Sequence, residues 1–198
     1  MKRNAADPIV KEHRPWWVLG LVGAWMLATR TDHFGSALHL PDASLAAFFV
    51  AGYALGRGRP GVVGFLGLCG LAFAIDAWAI LGRGVSAFCI TPAYGFLLPT
   101  YWLLWWAGAR APRPYLARPF ASLGIAALAT AGAFFVSSGS FYLLAPYFPE
   151  RSVAEFAART ARYFPPYLTA TLGWLAWGAL LHASFALRAA RRLPHHAR

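Results

Sequence analysis

Apolar residues in this chain gather into six runs, at 16–29, 44–55, 61–81, 96–109, 120–144 and 168–189, separated by polar connections. A helix needs about 20 residues to cross the hydrocarbon of a bilayer, and most of these runs meet or approach that length. The second is the shortest. It reaches a spanning length only if its helix starts near Leu38 or tilts little, with Asp42 after Pro41 as a suitable N-cap; a re-entrant segment is the alternative. The pattern predicts an all-α integral membrane protein, a single domain over residues 1–198 with six transmembrane helices.

The connections differ in character. Gly56-Arg57-Gly58-Arg59-Pro60 and the stretch 110–119 are short, basic and proline-punctuated, and read as turns without chemistry. The last long connection has internal structure. Ser152 followed by Glu155 is a capping-box pattern, and Val153, Phe156, Ala157, Ala161 and Phe164 then recur at helical spacing with Arg159 and Arg162 off that stripe. This predicts a short amphipathic helix in the last outer loop. Its arginines either meet an anionic or amide-rich ligand or face lipid headgroups.

Composition agrees with the pattern, since 59% of the 198 residues are hydrophobic and only 13% charged. The net charge of +11 would suit nucleic acid, but the basic residues sit in short clusters between apolar runs, so nucleic-acid binding is excluded. No small-x-small cleavage pattern follows the first run, which is read as a retained span. With the amino terminus inside, thirteen of the eighteen Lys and Arg residues fall on the cytoplasmic side; only Arg30, Arg83, Arg151, Arg159 and Arg162 fall outside. Both termini are therefore expected in the cytoplasm.

That topology gathers polar groups on the outer side. Asp32, His33, His39 and Asp42 lie in the first outer loop, Cys89 and Tyr94 in the second, and Tyr147, Glu155, Arg159, Arg162 and Tyr163 in the third, with Asp76 near the outer end of span three. An ionisable group at membrane depth is costly, and a lone thiol on a polar loop is unusual, so Asp76 to Gly95 marks the expected site. Cys69, mid-span among Leu68, Gly70 and Leu71, is instead a small buried apolar residue. Asp76 either faces a ligand or hydrogen-bonds a neighbouring helix. Asp32, His33, His39 and Asp42 form either a divalent-metal site or a solvated loop.

Cys89 has no CxxC partner, which argues against zinc or dithiol exchange and leaves a nucleophile, a redox centre or a soft ligand to a metal otherwise coordinated. No GxxxxGK[ST] loop is present, so the chain does not itself couple ATP hydrolysis, and the only histidine within a span is His182, which excludes a membrane protease.

The stretch TRTDHFGSALHLPDASLAAFF, Asp76 thirteen residues before Cys89, Tyr94 five after it, and Arg162 in the last outer loop together resemble the BtuM family of small bacterial membrane proteins. The resemblance covers essentially the whole length. It implies a solitary substrate-binding component of the energy-coupling-factor type in the bacterial inner (cytoplasmic) membrane, taking up cobalamin. Cys89 would be the axial cobalt ligand and would displace an upper cyanide, while Asp76, Tyr94, Arg162 and His33 would contact the corrin and its amides. It further implies docking of a coupling and ATPase module through small residues on the first helix, for which Gly20, Ala24 and Ala28 have the spacing. The alternatives are a component for another vitamin, a membrane enzyme using Cys89 as nucleophile or redox thiol, and a structural or assembly subunit.

Overall fold

The computed structural model describes residues 16–30 and 41–192, and among these the chain is all-helical. Helices form in all six predicted runs: α1 (Trp17–Arg30), α2 (Ser44–Leu55), α3 (Arg59–Arg83), α4 (Leu97–Arg110), α5 (Pro119–Leu144) and α6 (Val153–Arg192). Short 3₁₀ turns lie at Ala87–Cys89, Pro92–Phe96 and Tyr115–Ala117. α3 and α5, of 25 and 26 residues, are long and apolar enough to cross a bilayer, while α1 and α2 are shorter apolar helices.

α2 sits at the centre. Nine of its twelve residues are buried, with Phe48 fully so against Tyr101 of α4 and Phe65 of α3. At 1.5 Å per residue it spans about 18 Å. A helix enclosed by others need not match the hydrocarbon thickness, which is why its run is the shortest and has no polar face. Asp42, the expected N-cap, stands one position outside the observed one, Ala43: its Oδ1 accepts from the Ser44 N–H at 2.8 Å and from the Ser44 hydroxyl at 2.6 Å. The predicted alternative start near Leu38 lies outside the described residues.

Glycines bring α2 and α4 into backbone contact. A Cβ on Gly52 would strike the Trp105 carbonyl, and one on Gly108 would strike the Phe49 carbonyl. The two helices therefore approach as closely as backbones allow. α3 begins at Arg59 with Pro60 in its first turn and stops at Gly84, whose φ of 67° is the left-handed conformation of a helix C-cap. One core joins α1 to α5 through Met26, Phe48, Leu68, Leu104 and Ala133, with Tyr167, Leu172 and Leu175 of α6 packed on it. On the perimeter, Leu66, Leu81, Phe120, Leu128, Leu143 and Leu180 are large, apolar and exposed.

The last helix corrects one expectation. No separate short helix precedes the sixth run: α6 is continuous for 40 residues, with Pro165 and Pro166 inside it. The carbonyls that two prolines leave without helical N–H donors are those of Ala161 and Arg162, on a face of the helix that is exposed and open to other partners. The Thr169 hydroxyl donates to the Pro165 carbonyl at 2.9 Å and strengthens the turn just beyond. The capping signal itself holds, since the Glu155 N–H donates to Ser152 Oγ at 3.1 Å. The Ser152 N–H, however, goes to the Tyr142 hydroxyl at 2.8 Å and not to the Glu155 side chain.

Candidate functional site

A cleft of about 860 Å³ opens at the end of the bundle where α1 ends and α2 begins. It draws its walls from the connections 41–44, 88–97 and 145–152 and from the first turns of α6, so the three polar loops do converge. Aromatic rings dominate the lining, among them Phe88, Tyr94, Phe141, Tyr147, Tyr163 and Tyr167.

The floor is an ion-pair network that the sequence did not disclose. Arg30, at the last position of α1, is only 7% exposed, as is Asp76 on α3. Its guanidinium grips Asp76 with two parallel bonds, Nε to Oδ1 at 2.7 Å and Nη2 to Oδ2 at 2.6 Å. Nη1 is directed at Tyr101 Oη (2.9 Å), Ser44 Oγ (3.1 Å) and Asp42 Oδ2 (3.3 Å). The Tyr94 hydroxyl donates to Asp76 Oδ2 at 2.7 Å. Charge-assisted, bidentate and shielded from water, these bonds fix α1, the 41–44 connection, α3, the 92–96 turn and α4 to one another. Asp76 thus hydrogen-bonds neighbouring elements while lining the cleft. A buried acid requires a buried cation, and Arg30 at the edge of an apolar run was the sequence signal for it.

Cys89 lies at the rim, solvent-exposed yet lining the cleft. Partial burial, and then the Asp76 carboxylate, push its thiol above its ordinary pKa, with Arg30 opposing. Tyr94 is pushed up as well, by burial and by its hydrogen bond to Asp76. The Cys89 segment is pinned on both sides. Tyr94 ties it to α3, and Phe88 stacks on Tyr147 with centroids 4.1 Å apart and planes 19° apart, joining it to the 145–152 connection. The next basic neighbour along the chain, Arg83, sits over the Trp78 ring.

Of the residues singled out from the sequence, Asp42, Asp76, Cys89, Tyr94, Tyr147, Arg159 and Tyr163 line the cleft. Arg162 does not: it is exposed, with its guanidinium 5.5 Å from the Tyr163 ring. The helical repeat explains this. The cleft-facing stripe of α6 runs through Phe156, Arg159, Tyr163, Tyr167 and Ala170, and Arg162 falls about 60° outside it. The stripe expected from apolar spacing shares Phe156 with it but otherwise faces elsewhere, Val153 being 88% exposed. Arg159 is held by Glu155 at 3.0 Å and lies 4.3 Å over the Phe148 ring. His33, His39 and Asp32 lie outside the described residues. Gly20, Ala24 and Ala28 are exposed along one face of α1.

No group of three or more metal-ligating side chains occurs among the described residues. Arg30, Ser44, Tyr101 and the wall residues Ser137, Ser138 and Thr160 are site components that the sequence reading missed; all are polar side chains that only the packing of helices gathers. No protein-family model matches the chain, and no curated protein does. The functional reading rests on this cleft.

Proposed function

We propose that the chain is a six-span protein of the bacterial inner membrane, both termini cytoplasmic, that binds cobalamin from the outer face and mediates its uptake. The observation that carries this reading is one thiol at the rim of a large aromatic cleft. A bare cation needs several protein ligands, whereas cobalt in a corrin already has its four equatorial positions filled and takes one soft axial donor. Cys89 offers that donor, and aromatic walls suit a flat macrocycle. The membrane setting is supported by the apolar perimeter, by α3 and α5, and by the sequence's excess of Lys and Arg in the segments read as cytoplasmic.

Against cyanocobalamin, Cys89 would give up its proton and form a Co–S bond as the Co–C bond breaks, cyanide leaving with that proton as hydrogen cyanide. Cobalt keeps its oxidation state in this exchange. A nucleophile and a cobalt ligand both act as thiolate, so the raised Cys89 thiol bears equally on either, and the aromatic lining of the cleft is what favours the corrinoid. The exposed face of Gly20, Ala24 and Ala28 is the part of this reading that concerns an energy-coupling module.

Visible absorption of the detergent-purified protein after incubation with cyanocobalamin tests the assignment. The native chain should retain corrinoid with an altered spectrum, and Cys89→Ser should lose the alteration. Failure of the native chain to retain corrinoid would overturn the reading.

A further inference from the structure

Every charged side chain that lines the described cleft is already paired. Arg30 is matched by Asp76 and Asp42, and Arg159 by Glu155. An anionic ligand would have to compete with carboxylates bonded at 2.6 to 3.3 Å. What the α5–α6 wall carries instead is hydroxyl-bearing side chains, Ser137 and Ser138 from α5 and Thr160 and Tyr163 from α6, with the Thr160 hydroxyl turned inward from the wall.

Thr160 is unlike the other helical threonines. Thr29, Thr100, Thr130, Thr169 and Thr171 each return their hydroxyl to the carbonyl four residues back. Thr160 does not bond Phe156 in this way, and its Oγ1 is buried with no partner among the described residues. Buried hydroxyls are almost always satisfied, and an orphaned one costs stability that valine at the same position would not. A helical threonine has two accessible χ1 wells, so one staggered step exchanges methyl for hydroxyl at the wall it lines.

From this we infer that Thr160, with Ser137 and Ser138, forms a hydroxyl subsite for the neutral carboxamide edge of the ligand. The inference rests on the cobalamin reading for the identity of that ligand. A carboxamide both donates and accepts, and so satisfies hydroxyls in either sense. A carboxylate only accepts, and brings into the cleft a charge for which no lining cation is spare. The subsite thus selects amidated corrinoids over their hydrolysed carboxylates.

The test uses Thr160→Val, nearly isosteric, beside Thr160→Ser, which keeps the hydroxyl. Each is measured for thermal stability without ligand and for affinity toward cobalamin and toward cobalamin with one propionamide hydrolysed to the carboxylate. Thr160→Val should melt higher than the native protein yet bind cobalamin on the order of five- to tenfold more weakly, the worth of one neutral hydrogen bond. Thr160→Ser should bind as the native protein does. The native protein should bind at least one of the monocarboxylates on the order of tenfold or more below cobalamin, and Thr160→Val should narrow that gap. Undiminished binding by Thr160→Val, or a fall in stability together with affinity, would overturn the subsite while leaving cobalamin uptake standing. If the native protein retains no cobalamin, the functional reading falls and the subsite with it.

Discussion

Replacing Arg30 by methionine should be among the most damaging single changes in the chain. It strips the cation from Asp76, which is 7% exposed and bonded to it twice, and from Asp42, whose side chain is 29% exposed and better able to find water. Removing one partner of a buried pair costs about 3–5 kcal/mol, because the remaining charge is left in a medium that does not solvate it. For a chain of this size each kcal/mol corresponds to about 2–4 °C in Tm, so the expected fall is about 6–20 °C. Asp76→Leu should cost less, since the guanidinium loses its two shortest bonds but keeps Asp42 at 3.3 Å and the Tyr101 and Ser44 hydroxyls. The double variant, Arg30→Met with Asp76→Leu, should recover most of the loss, with a coupling of about 3 kcal/mol or more, because the one charge left without its partner is Asp42, which is 29% exposed and reaches water. Thermal melts of the four proteins in one detergent, followed by tryptophan fluorescence, supply the cycle. Single variants within about 2 °C of native would mark the pair as no stronger than an exposed one, and additive losses would show that the two side chains do not act together.

The α2–α4 contact gives a second expectation. Gly108→Ala places a methyl group against the Phe49 carbonyl and 3.0 Å from the Tyr53 nitrogen, both backbone atoms, so it should cost about 3 kcal/mol or abolish folded protein. Gly67→Ala, with nothing within 4 Å of its Cβ, should be neutral or slightly stabilising in the same melt. The pH dependence of ligation follows from the raised Cys89 thiol. Below its pKa the thiol is protonated, so coordination to aquocobalamin, which loses only water, must release one proton. Affinity should therefore rise up to tenfold per unit between about pH 5.5 and 7.5. A flat profile would exclude thiolate ligation. Without ligand the sign reverses: the folded thiol holds a proton the unfolded one loses, so its contribution to stability declines as pH climbs past the ordinary thiol pKa.

The sequence made the apolar runs legible, and all six became helices, because burial or lipid contact demands long apolar stretches. The spacing of Asp76, Cys89 and Tyr94 was also readable, since a costly acid and a lone thiol within thirteen residues stand out from their surroundings. Arg30 was not. It was counted as a loop charge that reports orientation, although Asp76 in an apolar run already required a partner of opposite sign. Arg162 was preferred to Arg159 on the family resemblance, since apolar spacing set both arginines off its stripe; the cleft is faced instead by a mixed stripe of aromatic and hydroxyl side chains that includes Arg159. The continuity of α6 was not legible, because its apolar run starts only at 168 and a proline pair such as Pro165-Pro166 ordinarily interrupts a helix.

The shortness of α2 bears on the distance a cargo must travel. In the proposed setting about 30 Å of hydrocarbon separates two aqueous phases, yet the cleft floor rests on the first turn of a helix about 18 Å long. In that setting a molecule in the cleft, above Asp42, Ser44 and Tyr101, would already lie part of the way through the hydrocarbon. Beneath the cleft α2 is held to α4 by bare backbone at Gly52 and Gly108, with the Trp105 indole donating to the Gly56 carbonyl at its far end. Passage would then have to open the packing of α2 and α4 against the rest of the core, a smaller excursion than the full depth of the membrane.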